Sequence, residues 1–377
     1  MSRMTLILWL LHVYVGVRLL PDLPFGVVGI AVGAIALLAS AWLIPYGFKR
    51  RRTAVSGRAR TLMWAGLVAL GAFSTLFVLT ALRDAGLVAT LALAALFPGA
   101  IPVAGYVRWT AIGVPLLTVL LTLVGYANAR RVARVRDVDV PIASLHPSLD
   151  GFTIAQITDL HVGPTIAREY VEAIVDAVNG LDADLVAITG DLVDGSVGQL
   201  SPHTAPLARI EARHGTYFVT GNHEYYSGVH AWIGELTRLG MTVLLNEHVV
   251  LDHDGAHVVV AGVTDPSAHH FDPSHRSDPA RAIAGAPSSA IKLLLAHQPR
   301  SAAAAAKAGF DLQLSGHTHG GQFLPWTFFV RFQQPFTAGL ARLGRLWVYT
   351  SRGTGYWGPP KRLGAPSEIT RLRLVPA

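Results

Sequence analysis

The sequence predicts two parts: an all-α set of transmembrane helices at the N-terminus, and a C-terminal α/β domain built as a two-sheet β-sandwich flanked by helices. Two observations carry this. Hydrophobic residues make up 51% of the 377 positions and charged residues only 15%, against about 25% charged in an ordinary soluble domain, and the excess is concentrated in long apolar runs within residues 1–128. From residue 150 onward, short β-branched runs alternate with helical periodicity, and several of them end on Asp, Asn or His.

Residues 4–20, 25–48 and 61–82 are apolar stretches of helical length, near the roughly 20 residues a spanning helix needs. The first resembles a signal peptide in length, but it lacks a small-residue cleavage site and two more apolar runs follow, so it reads as a retained helix. Residues 85–106 are apolar but interrupted by Pro98, Gly99 and Pro102; proline removes a helical hydrogen bond, so this stretch reads as a kinked span, a re-entrant segment or an interfacial helix, and the basic loops described next favour the readings in which it does not span. Residues 109–127 read as a further span. Lys49, Arg50, Arg51, Arg52, Arg58 and Arg60 lie between the second and third runs, and Arg130, Arg131, Arg134 and Arg136 follow the last. Such loops stay on the cytoplasmic side. Both conditions hold with four spans, both chain ends and the C-terminal domain cytoplasmic, as in a multi-pass protein of a bacterial-type inner membrane. If residues 85–106 span, the C-terminal domain moves outside. His12 is the one ionisable residue expected deep in a span, and it reads as a packing group rather than part of an ion path, so these helices read as an anchor.

A net charge of +7 is explained by the basic residues flanking the spans, and no arginine-rich tail supports nucleic-acid binding. There is no cysteine, which excludes disulfides and thiolate-ligated metals. No strong small-residue dimer motif stands out in the helices, so the oligomeric state is left open.

Residues 129–149 read as a linker to the domain at 150–377. Residues 152–158 form a strand that delivers Asp159, and residues 167–179 an amphipathic helix. Strands at 183–189 and 215–220 lead to Asp191 and Asn222, 258–263 is another strand, and strands at 291–296 and 312–315 deliver His297 and His317. Ala302–Ala306 reads as helix. In open α/β sheets, sites form beyond the carboxyl ends of strands, so these loops should converge at one edge.

Five motifs lie in those loops: Asp159-Leu160-His161; Gly190-Asp191-Leu192-Val193-Asp194-Gly195; Gly221-Asn222-His223-Glu224; the isolated His297; and Gly316-His317-Thr318-His319-Gly320-Gly321. Nitrogen and oxygen donors without thiolate suit hard-to-borderline divalent metals. Each motif alone is weakly specific; five in this order are not. Over about residues 150–372 the chain resembles the calcineurin-like metallophosphoesterases, of the membrane-anchored bacterial branch. The resemblance implies two divalent metals bridged by Asp191, with Asp159, His161 and His319 completing one site and Asn222, His297 and His317 the other. The physical reading agrees: a carboxylate has two oxygens and a charge that offsets the repulsion of two cations. His317 and His319, two apart in an extended loop, would point to opposite faces. The metals would lower the pKa of a bridging hydroxide that attacks phosphorus and offset charge on the phosphoryl oxygens. His223 is the candidate general acid, and Asp194 or Glu224 would orient a ligand from behind. Manganese is the first choice of metal, with iron or zinc next. His203, His214, His230, His248, His253, His257, His269, His270 and His275 read as structural or surface groups.

Two further loops bear on the substrate. Residues 322–330, including Trp326, are strongly apolar: core packing, or a lip that dips into the bilayer or holds an acyl chain. Residues 349–362 are glycine-rich and carry Arg352, Lys361 and Arg362; arginine suits bidentate phosphate contact, and Arg352, Arg362 and Trp326 are the candidate substrate contacts. Membrane-anchored relatives include pyrophosphatases acting on UDP-diacylglucosamine, so the resemblance implies a lipid-linked phosphodiester or pyrophosphate. The alternatives are a hydrolase of soluble nucleotides that uses the membrane only as anchor, and a non-enzymatic membrane scaffold that retains the fold.

Overall fold

The computed structural model describes residues 3–48 and 57–377. The chain divides into two units, residues 1–128 with Gly358–Leu363, and Ala129–Trp357 with Gly364–Ala377.

In the first unit, α1 (Arg3–Leu19), α2 (Gly26–Gly47), α3 (Gly57–Leu96) and α4 (Val103–Arg130) are the four helices, among the described residues, long and apolar enough to cross a membrane. Side chains such as Leu10, Val28, Leu38 and Leu120 point outward uncovered, as a lipid-facing helix requires. The basic run Lys49–Arg52 lies outside the described residues.

The reading of residues 85–106 is corrected here. They are not a separate segment: α3 continues unbroken for 40 residues, about 60 Å at 1.5 Å per residue. The chain turns only at residues 97–102, where Pro98 and Pro102 cannot continue a helix and Gly99 takes φ 80°. The helix passes through Arg83 and Asp84 because both charges find partners. Arg83 is 3% exposed and donates to Asp22 at 2.5 Å, the Arg18 carbonyl at 2.7 Å and Thr110 at 3.0 Å. Asp84 accepts from Arg18 at 2.8 and 3.0 Å and from Tyr14 at 2.8 Å. A buried charge is tolerated only when paired and hydrogen-bonded in this way. His12 is likewise satisfied, bonded to the Leu8 carbonyl at 2.8 Å and Ser40 at 3.1 Å, with its ring 3.5 Å from that of Phe73.

The second unit opens with β1 (Arg134–Ile142), then β2 (Thr153–Ile157), α5 (Arg168–Asn179), β3 (Leu185–Ile188), α6 (Val197–Thr204), β4 (Thr216–Phe218), α7 (Asn222–Ser227), α8 (Val229–Arg238) and β5 (Thr242–Val243). There follow β6 (Glu247–His253), β7 (Ala256–Gly262), α9 (Pro279–Ala282), β8 (Ile291–Leu295), α10 (Ala302–Ala308), β9 (Leu312–Ser315), α11 (Trp326–Phe329), β10 (Gly339–Leu343), β11 (Leu346–Thr350) and β12 (Glu368–Pro376). They form two six-stranded sheets, ordered β1-β12-β2-β3-β4-β5 and β10-β11-β9-β8-β7-β6. Residues 129–149 are therefore not a plain linker: β1 pairs in parallel with β12 from Arg134↔Glu368 to Ile142↔Pro376. Its inward Val140 and Ile142 are buried, while Asp137 and Asp139 pair across the edge with Arg371 and Arg373 at 2.7 and 2.9 Å.

Alternation within the strands builds the layers, since successive side chains point to opposite faces. Ile154, Leu185 and Leu372 share one buried cluster with Val260, Leu293, Leu314 and Tyr349, the core between the sheets. Ala155, Ile157, Val186 and Ile188 face the other way and pack with Val171, Ile174 and Val175 of α5 and Trp232 and Leu236 of α8. On the second sheet Val259, Leu294 and Ala296 pack with Ala302 and Ala305 of α10. The central strands β2, β3 and β4, and β7, β8 and β9, run parallel. Their carboxyl ends, where Asp159, Asp191, Asn222, His297 and His317 follow, consequently lie on one side of each sheet.

Candidate metal centre

Five side chains of the centre sit on backbone that L-residues rarely adopt. Asp159, His161, Asp191, His317 and His319 have φ of 53°, 52°, 52°, 69° and 50°, in the left-handed region that costs a non-glycine residue energy and clusters at functional sites. The neighbouring loops hold them there: the amides of Asp159 and His161 donate to the carbonyls of Gly190 and Asp191 at 3.0 and 3.1 Å, and that of Gly316 to His297 at 2.9 Å. The extended loop expected for His317 and His319 is thus corrected. Both are left-handed, with Thr318 right-handed at φ −77° between them.

The structure gathers the ligand candidates into two groups, the buried Asp159–His161–His319 and Asp191–His297–His317, of which His317 is half-buried, the donor atoms of each within 4.8 Å of one another. In the first, His161 Nε2 is 3.1 Å from His319 Nε2, which is 3.4 Å from Asp159 Oδ1. In the second, His297 Nε2 is 3.1 Å from both Asp191 Oδ2 and His317 Nδ1. Asp191 Oδ2 also lies 4.0 Å from His161 Nε2, so this carboxylate reaches both groups. Imidazole nitrogens facing each other this closely hold at most one proton between them, an arrangement suited to a cation. Asn222 adds a buried amide oxygen with no hydrogen-bond partner, and its neighbour His223 donates its amide to Asp191 Oδ1 at 2.8 Å. Orphaned buried acceptors are rare; a metal would satisfy this one. The donor set therefore fits divalent metal.

Burial opposes the charges on Asp191 and His297, yet their mutual attraction wins: the carboxyl is held well below and the imidazole well above its usual range. Burial, then the charge on His297, pushes His317 down to about 3. That keeps the ring neutral, the form in which an imidazole can bind a cation.

A second layer orients these groups. His297 Nδ1–H donates to the Thr189 carbonyl at 2.8 Å, which turns Nε2 inward. Thr158 Oγ1 donates to Asp159 Oδ2 at 2.8 Å. The Glu224 carboxylate accepts from the amides of Asp191, Leu192 and Gly221 at 3.0, 2.8 and 2.7 Å, bracing two ligand loops. Gly221 and Gly316 are required by space, since a Cβ on either would stand 2.2 Å from Asp191 Oδ1 or 2.1 Å from Asp159 Oδ2. Asp194 binds His223 Nδ1 through a short hydrogen bond and lies 3.3 Å from His161 Nδ1. Burial disfavours a charged His223, but Asp191 and Asp194 outweigh it and push the imidazole up to about 9. Its Nε2 lies 4.0 Å from Asp191 Oδ2, at the edge of the centre.

The apolar loop after the last ligands is not core. Leu324, Trp326, Phe328, Phe329 and Phe332 are all exposed, Phe332 by 74%. Gln322 joins this lip to Trp357 through both its amide atoms, each 2.9 Å from the Trp357 backbone. Trp357 is itself 47% exposed, and its ring centre is 5.8 Å from that of His223, with Tyr226 at 5.3 Å. Sequence reasoning did not single out these two aromatics; their positions next to the G-N-H-E motif and inside the glycine-rich loop were the available signal. Arg352 lies beside the last ligand loop, where a Cβ on Gly320 would stand 3.0 Å from its Cγ, and pairs with Glu368 at 3.1 Å. Arg362 is different. It is 1% exposed and belongs with Lys361 to the first unit, its amide bonded to the Gly125 carbonyl at 2.8 Å and its carbonyl to Asn128 at 3.2 Å. Lys361 donates to the Gly71 carbonyl at 3.1 Å. A residue this buried does not present the guanidinium to a phosphate in solution, contrary to the expectation for Arg362.

Comparison with known proteins places the domain that carries these residues in a family. The family model for calcineurin-like phosphoesterases matches residues 152–321. A bovine protein described as a transmembrane protein with metallophosphoesterase domain is 40% identical over 274 residues, 70% of this chain and 62% of that one; the chain thus spans under two thirds of that relative. An uncharacterized metallophosphoesterase of Campylobacter jejuni is 36% identical over 262 residues, 69% of this chain and 68% of its own. The uncharacterized metallophosphoesterase YkuE of Bacillus subtilis is 30% identical over 260 residues, 66% of this chain and 89% of its own. With its C-terminal domain matching the family model and preceded by four apolar helices, the chain belongs to the calcineurin-like metallophosphoesterases.

Proposed function

We propose that the chain is a dinuclear phosphohydrolase that cleaves a phosphodiester or pyrophosphate bond in a lipid-linked substrate. The observation that carries the dinuclear reading is Asp191, one carboxylate within reach of both histidine groups. Asp159, His161 and His319 would hold one ion, Asn222, His297 and His317 the other, with Asp191 between. When bound, two divalent ions, manganese first and iron or zinc next, supply Lewis acidity that activates water and offsets phosphoryl charge. The protein's own share is orientation and proton delivery. Asp194 fixes His223 by Nδ1, so the proton on Nε2 is the one available to a leaving oxygen. Arg352 is the remaining candidate for the anionic part of the substrate, and Trp326 with the rest of the lip for its apolar part.

The exposed lip supports the lipid reading over a soluble nucleotide. An acyl chain against it would recover part of the roughly 1.5–3 kcal/mol that burying one large apolar side chain yields. Replacing Trp326 and Phe329 together by serine is expected to raise KM about tenfold for a lipid-linked pyrophosphate in mixed micelles. A water-soluble diester should be unaffected. Equal changes for both substrates would dismiss the acyl contact, and preferential turnover of a nucleotide would favour the soluble reading.

We further propose that the C-terminal domain lies on the cytoplasmic face, on the strength of Arg58 and Arg60 at the start of α3 and the basic run before them. The chain has no cysteine, so Ser196→Cys gives a unique label. A membrane-impermeant maleimide should leave it unmodified in intact cells and modify it after permeabilisation. Labelling in intact cells reverses the orientation.

A further inference from the structure

Two histidines read from sequence as structural or surface groups, His230 and His275, meet Asp272 outside the centre described above. His230 stands in the first turn of α8, while Asp272 caps the short turn Pro273–His275 and His275 ends it. Asp272 Oδ2 lies 3.3 Å from His230 Nε2 and 3.9 Å from His275 Nε2, and the donor atoms of the three lie within 4.8 Å of one another.

The geometry points to a further metal site here, for a borderline divalent ion such as zinc, held by two imidazoles and one carboxylate. Two of the ligands are set in advance. Asp272 Oδ1 accepts from the amide and hydroxyl of Ser274 at 2.9 and 2.6 Å, which leaves Oδ2 to the histidines. His275 Nδ1 bonds Tyr225 Oη at 2.9 Å, and Thr264 Oγ1 donates to the His275 carbonyl at 2.8 Å. An outer partner on one ring nitrogen fixes the orientation in which the other meets a metal. His230, 71% exposed at its side chain, completes the set from the helix. Two nitrogens and one oxygen suit zinc, cobalt or nickel rather than calcium or magnesium, which take oxygen. Three protein ligands leave a position for water or for an oxygen of a bound anion.

The site borders the catalytic region through aromatic contacts. Phe271, next to Asp272, packs on Tyr225 and Tyr226 with ring centres 5.8 and 5.5 Å apart, and Tyr226 packs on His223. An ion here would tie the loop that carries Phe271 to α8.

The test is zinc binding by the full-length protein in detergent after chelator stripping, read by equilibrium dialysis with elemental analysis. Wild type should bind one zinc more per chain than His230→Ala or Asp272→Asn, whatever the count at the central groups. Zinc should also slow amide exchange across residues 264–276 in wild type and not in His230→Ala. His230 is exposed, so its loss leaves the fold intact. Equal zinc in wild type and both variants, with unchanged exchange, would show histidines merely ion-paired to Asp272 and overturn the assignment.

Discussion

Replacing Asp191 with alanine should cut manganese-dependent hydrolysis of bis-p-nitrophenyl phosphate by at least about 10³-fold, a barrier increase of roughly 4 kcal/mol. It should also reduce the metal content of the purified protein from two ions to one or none. The Asp191 carboxylate reaches both histidine groups, 3.1 Å from His297 and 4.0 Å from His161. Unit charges about 4 Å apart repel by about 4 kcal/mol at an effective dielectric near 20, and divalent ions by more. Without this carboxylate the centre keeps mostly neutral donors, and nothing between the two groups offsets that repulsion. The fold should survive, because Asp191 lies in a loop past β3 and belongs to none of the apolar clusters; circular dichroism checks this. A variant that retains two metals and wild-type turnover would end the dinuclear reading.

His223→Ala should show a different signature, which depends on the leaving group. General-acid assistance is worth about 10²–10⁴-fold when the departing oxygen needs a proton. A p-nitrophenolate leaves without one. Turnover of an alkyl phosphodiester should therefore fall by about 10²–10⁴-fold, while that of bis-p-nitrophenyl phosphate falls by less than about tenfold. Metal content should stay unchanged, which separates proton delivery from ligation, since His223 also stands close to His161 and Asp194. Asp194→Asn should reproduce part of the loss, because its short hydrogen bond holds the imidazole by Nδ1. Equal losses with both substrates would make His223 a structural neighbour of Asp191 and not the acid.

The candidate donors could be picked out because their motifs are local. Each candidate lies within a few residues of a strand end, in a short motif whose glycines are themselves required: Gly221 and Gly316 stand where a Cβ would collide with the carboxylates of Asp191 and Asp159. The left-handed backbone at Asp159, His161, Asp191, His317 and His319 was not legible, and it replaced the extended geometry expected of the last loop. Nothing in a motif of side chains specifies the inter-loop hydrogen bonds that hold such a backbone.

The failures elsewhere share one cause. The third apolar run was ended at residue 82 because Arg83 and Asp84 follow, yet the helix continues, since Asp22, Arg18, Tyr14 and Thr110 on other helices satisfy both charges. Residues 134–142 lacked an uninterrupted apolar run and read as linker, yet they form an edge strand because β12, at the far end of the chain, offers its backbone and two arginines. Arg362 read as a phosphate contact and is 1% exposed, on a backbone bonded to Gly125 and Asn128. The sequence by itself determined the two-part architecture, the apolar spans and the inventory of metal donors, because hydropathy and donor chemistry belong to individual residues and their near neighbours. Only the tertiary structure decided which donors share a group, which charges are paired and which aromatics stay exposed. Those depend on residues tens to hundreds of positions apart meeting in space, and no local pattern encodes such a meeting.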